Sequence, residues 1–147
     1  MNRQEKYPTT ETFVYHNENP KGRITGDCTF RAIATATGKP WEEVVMEMAK
    51  MSCETGYAIN DKKGIERYLK SLGWWKHKQP RKDNGKKFTG KEFCKWLNKT
   101  ANVNAVIANI GGHHIVCIKR GGEYNKDFKV NDIWDSTGKC VGNYWTK

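Results

Sequence analysis

Apolar residues recur at helical spacing through the first two-thirds of the chain and in short, strand-like runs through the last third. In the stretch ITGDCTFRAIATATG, residues 24–38, Phe30, Ile33, Ala34 and Thr37 follow i, i+3, i+4 and i+7, and Gly38 is a stop signal. A helix is predicted from Thr29, with Cys28 in or next to its first turn. Lys39-Pro40 restarts the chain with proline at a favoured first helical position, and Trp41, Val44, Val45 and Met48 mark one face of a second helix. Asn60 or Asp61 caps a third, in which Ile65, Tyr68, Leu69 and Leu72 repeat the spacing and Gly73 closes it. Thr89 and Glu92 form a capping-box pair ahead of Phe93, Trp96 and Leu97, a fourth helix.

Beyond Ala101 the pattern changes. Residues 103–110, 115–118, 128–134 and 141–145 are short runs rich in β-branched and aromatic residues, separated by Gly and Asn. KRGGEY, residues 119–124, reads as the hairpin between two of them. Helices followed by strands predict an α+β fold with an antiparallel sheet packed against the Cys28 helix. Residues 1–24 read as an extended or irregular segment. Within residues 76–91 lies KHKQPRKDNGKK, whose one acid is Asp83; it reads as a solvated basic loop with Trp74 and Trp75 beside it as core residues, or else as a phosphate-facing patch with those tryptophans as stacking groups.

Length and composition narrow the class. A chain of 147 residues fits one domain, residues 1–147, able to bury roughly 68–70% of its unfolded surface. Hydrophobic residues make up 37% and six are Trp, which excludes a disordered chain. No apolar run reaches membrane-spanning length and the polar start has no signal-peptide core, so a cytoplasmic protein without membrane contact is expected. Five cysteines with no CxxC pair suggest reduced, mostly buried thiols rather than a disulfide framework or zinc site.

Cys28 stands apart from the other thiols. A thiol in the first turn of a helix meets unpaired N–H groups and the positive end of the helix dipole, which favour the nucleophilic thiolate. Such a nucleophile needs a base, and the base needs an orienting group. Of the four histidines, His113 and His114 stand at the start of an apolar strand, GGHHIVCIK, and alternation allows only one of them to face the Cys28 helix. The returning segment FKVNDIWDS offers Asn131, Asp132 or Asp135 as the group beside that histidine.

Those residues, in that order, resemble the papain-like cysteine hydrolases, especially the small bacterial and phage members that hold little more than the catalytic core. GDCTFRAIA resembles the nucleophile at the start of the family's central helix, and HHIVCIK resembles its strand-opening histidine. NDIWDS, with Tyr144-Trp145 near the C-terminus, is similar to its Asn or Asp two residues before a tryptophan. The resemblance implies a papain-like α+β fold and a peptidase or acyl transferase acting on an amide or thioester of a protein or peptide. It implies Cys28 as nucleophile, His114 as general base and acid, Asp132 as orienting residue, and neither metal nor organic cofactor. The Cys–His spacing is shorter than the about 130–150 residues of papain-type enzymes. No glutamine stands just before Cys28, so Asn17, Asn19 or backbone N–H groups are left as oxyanion donors, and Asp27 is placed to oppose the thiolate.

Charge adds a rival from another class. With 26 Lys and Arg against 16 Asp and Glu, the formal net charge is +10, which favours acidic partners. The alternative is therefore an inactive scaffold of the same fold that binds nucleic acid or an acidic host protein through residues 76–91, and the expected contact is weak.

Overall fold

The computed structural model describes residues 1–121 and 126–147. In chain order its elements are α1 (Arg3–Lys6), β1 (Phe13–Tyr15), α2 (Cys28–Thr37), α3 (Trp41–Thr55), α4 (Lys62–Ser71), β2 (Trp75–His77), α5 (Gly90–Thr100), β3 (Ala105–Ile110), β4 (His114–Arg120), β5 (Phe128–Asp132) and β6 (Val141–Thr146). Among the described residues this is an α+β arrangement of five helices and one six-stranded sheet. No helix among the described residues is long and apolar enough to cross a membrane.

Local chemistry explains the helix boundaries. α2 and α3 stop at Gly38 and Gly56, whose φ angles of 76° and 80° are open to glycine and strained for other residues. Asp61 caps α4 by accepting from the Lys63 N–H, and Thr89 and Glu92 form the reciprocal box that starts α5. Pro40 lies at the N-cap of α3, one position before the first helical residue.

The sheet runs β1-β5-β4-β3-β6-β2. Alternation along β3 and β4 divides the core in two. Val106, Ala108, Ile110, Val116 and Ile118 pack with Phe93, Cys94 and Leu97 of α5. Ile107, Ile115 and Cys117 face the other way, onto Ile33 of α2, Val44 and Met48 of α3, and Leu69 of α4. Three helices thus cover one face and α5 covers the other.

Four expectations need correction. The sheet is mixed, because β1 pairs with β5 in parallel, Phe13 opposite Val130. In residues 1–24 that strand is extended, as expected, but the helix α1 precedes it. Residues 76–91 are not simply a loop: β2 closes one edge of the sheet against β6, Arg81 bridges to Lys87, and α5 begins at Gly90. Trp74 is buried as expected, whereas Trp75 is 71% exposed on that edge strand. The expected hairpin KRGGEY falls partly on residues 122–125, which lie outside the described residues; β4 and β5 pair antiparallel.

Candidate active site

Cys28 is the first residue of α2 and partly buried, and its thiol interacts with the His114 imidazole. Its N-cap residue, Asp27, makes no capping bond, so the first-turn N–H groups keep their capacity for an anion. Burial raises the thiol's pKa. The His114 hydrogen bond, a backbone bond with Ile115, the imidazole's charge and the Thr29 hydroxyl outweigh it, and the net direction is down from 9.0.

His114 opens β4, and its Nε2 lies 2.5 Å from Oδ2 of Asp132, the last residue of β5. With Nε2 committed there, Nδ1 is the ring nitrogen left for the Cys28 sulfur. Burial disfavours the imidazolium, but the bonds to Asp132 and Cys28 and their charges raise the pKa from 6.5 to about 9. Thiol down and imidazole up is the condition for a thiolate–imidazolium pair. The Trp134 ring tilts against the His114 ring with centroids 5.0 Å apart, covering one side of the pair.

The structure therefore brings Cys28, His114 and Asp132 together, while Asn131 and Asp135 bond elsewhere. At His113 the chain is still in the turn before β4, so strand alternation does not govern it; its side chain is exposed at the cavity beside Cys28. Asn131 spends its amide on the Lys129 carbonyl, and Asp135 accepts from Thr137 as ordinary turn chemistry. Asn17 and Asn19 each commit one amide N–H away from Cys28. Asn17 Nδ2 goes to the Arg23 carbonyl and Asn19 Nδ2 to Asp27.

Arg31 is the residue that sequence reasoning missed. It is 6% exposed and bridges two buried carboxylates, with Nε 2.8 Å from Asp27 Oδ1 and Nη1 2.5 Å from Asp132 Oδ1. Asp27 also accepts from Asn19 Nδ2 and from the Trp41 indole N–H. The carboxylate next to Cys28 is thus held by a guanidinium and two neutral donors, which offsets its opposition to the thiolate. Asp132 accepts from Arg31 on one oxygen and from His114 on the other, and its Oδ1 also takes the Ile133 N–H. That fixes the carboxylate that fixes the imidazole. The Asp27–Arg31 spacing of i, i+4 on a helix otherwise made of small and apolar residues was the available signal.

A cavity of about 300 Å³ opens beside Cys28, floored by Ile65, Ile115 and Trp145. The other thiols differ in setting. Burial pushes Cys94 and Cys117 up to about 12, while Cys53 and Cys140 are exposed, so the thiols are less uniformly buried than expected. Among the described residues no group of three or more His, Cys, Asp or Glu is placed to hold a metal ion. No protein-family model matches the chain, no curated protein matches its sequence, and no solved structure matches its fold.

Proposed function

We propose that the protein is a papain-like thiol hydrolase or acyl transferase that cleaves an amide or thioester bond in a protein or peptide. The observation that carries this reading is the convergence of Cys28, His114 and Asp132, with His114 hydrogen-bonded to Asp132, the thiol's pKa pushed down and the imidazole's up. The Cys28 thiolate attacks the carbonyl carbon, and the oxyanion that forms is met by the first-turn N–H groups of α2. The His114 imidazolium gives its proton to the leaving amine or thiol as the C–N or C–S bond breaks, leaving an acyl-Cys28. Neutral His114 then takes a proton from water or an acceptor amine, which attacks the acyl carbon and releases Cys28 as thiolate. Asp132 keeps the imidazole in the required tautomer, and Arg31 holds Asp132 in place.

An activated ester tests the chemistry without knowledge of the natural substrate. With p-nitrophenyl acetate, a burst of nitrophenol equal to the enzyme present and one acetyl group on the peptide containing Cys28 are expected. Absence of both in the native protein, or their persistence in Cys28→Ala, contradicts the reading.

A second reading has one observation behind it: Trp75 is exposed on β2, at the start of the basic segment 76–91, and flat aromatics together with cations are what single-stranded nucleic acid uses. It needs no chemistry at Cys28, and its test is salt dependence.

A further inference from the structure

The cavity beside Cys28 is at the small end of ligand-site volumes, sized for a side chain rather than a cofactor. Its floor is apolar, and no carboxylate lines it. Lys62, exposed at the start of α4, supplies a cation to its rim. Unlike Lys39, Lys76 and Lys82, which reach carboxylates, Lys62 has no ion-pair partner among the described residues. Asp61, its neighbour, uses its carboxylate to cap α4 at the Lys63 N–H. Asn109 also lines the cavity, and its Oδ1 is buried with no hydrogen-bond partner. A buried amide oxygen left open costs free energy until something donates to it.

We propose that this cavity is a substrate subsite for an acidic peptide residue, with Lys62 as the specificity-determining cation. A carboxylate on a short apolar stem fits the lining: methylenes against Ile65 and Ile115, the anion toward Lys62, and a peptide N–H of the same substrate donating to Asn109. This inference rests on the thiol hydrolase reading, since it places the acidic residue beside the bond that Cys28 attacks.

Two alkylating agents that differ in charge test the subsite directly on the full chain. Iodoacetate carries a carboxylate and iodoacetamide does not, and in both the thiolate displaces iodide. The ratio of their rates at Cys28, referred to the exposed Cys53 and Cys140 in the same molecule, reads the local preference for an anion. Because Lys62 is exposed, Lys62→Gln and Lys62→Glu leave the core intact. Lys62→Gln is expected to lower the ratio by about two- to five-fold, the range for an exposed charge pair, and Lys62→Glu to lower it further, with the iodoacetamide rate unchanged. A ratio equal in all three proteins overturns the subsite while leaving the hydrolase reading intact. Slow iodoacetamide labelling of Cys28 in the native protein overturns the hydrolase reading, and the subsite with it. On paired peptides bearing Glu or Gln next to the scissile bond, Lys62→Gln should raise KM for the Glu peptide and leave kcat alone.

Discussion

Arg31 and Lys82 hold carboxylates at nearly the same distance, 2.5 Å to Asp132 and 2.6 Å to Glu92, yet their surroundings differ completely. The Arg31 and Asp132 side chains are 7% and 2% exposed, those of Lys82 and Glu92 29% and 41%. In the first pair neither charge can fall back on water, so removing one strands the other. In the second, solvent replaces the partner at little cost. The buried pair can therefore hold a third group, His114, at a fixed place and protonation state. The basic segment 76–91 can only offer charge to whatever approaches. Equal geometry does not mean equal consequence.

The largest effect is expected from the residue shared by the ion pair and the candidate triad. Asp132→Asn removes the charge that raises His114, so the imidazole's pKa falls from about 9 toward 6.5. Because the acylation step needs imidazolium, the alkaline limb of the pH–rate profile should move down in the same direction, and the rate near neutrality should drop about 10²- to 10⁴-fold. A profile whose alkaline limb stays in place shows that Asp132 does not set the state of His114.

Next in size is Arg31→Met, which keeps the volume and strands Asp27 and Asp132. A loss of about 3–5 kcal/mol in urea denaturation is expected. Lys82→Met, measured beside it, should leave the midpoint where it was. Equal losses in the two variants would erase the distinction between the regions. Trp41→Phe is milder: it takes one neutral donor from Asp27 and should cost about 1–2 kcal/mol.

How much of this was open to sequence reading depends on the kind of signal. The helices carrying the cores announced themselves through spacing, Gly38 and Gly73 at their ends, and the Thr89–Glu92 box, because those features are local. Cys28 was legible for the same reason, a thiol placed where loop becomes helix. β1 and β2 were not, since Phe13–Tyr15 and Trp75–His77 are three residues each, too short for alternation to show. The parallel pairing of β1 depends on a partner more than a hundred residues away. Asp132 over Asp135 was decided by resemblance, and the geometry that separates them is tertiary: one ends a strand beside His114 and the other closes a turn onto Thr137. Asp27 read as an obstacle because its nearest sequence neighbour is Cys28; in space its nearest charge is Arg31.

The smallest effect belongs to the exposed region. Of the seven cations in residues 76–91, Lys76 and Lys82 already meet Glu66 and Glu92. The remainder should bind single- or double-stranded nucleic acid weakly and without sequence preference, with affinity falling about 0.9 log units per log unit of salt for each phosphate contacted on a duplex. Binding should be gone at physiological salt in a gel-shift titration. Tight binding that survives such salt and is lost on charge reversal of Lys78, Arg81, Lys86, Lys87 and Lys91 would move the function to this surface.

The proposed thiol chemistry depends most directly on the reactivity of one sulfur among five. Limited labelling with iodoacetamide near neutral pH, followed by peptide mass spectrometry, ranks the thiols without assuming any substrate. Cys28 should be modified first, ahead of the exposed Cys53 and Cys140, with Cys94 and Cys117 last because burial holds them as thiols. His114→Ala should remove the lead of Cys28 while leaving the other four unchanged. Cys53 or Cys140 modified first in the native protein, with Cys28 untouched, would contradict the thiolate–imidazolium pair and the thiol chemistry built on it.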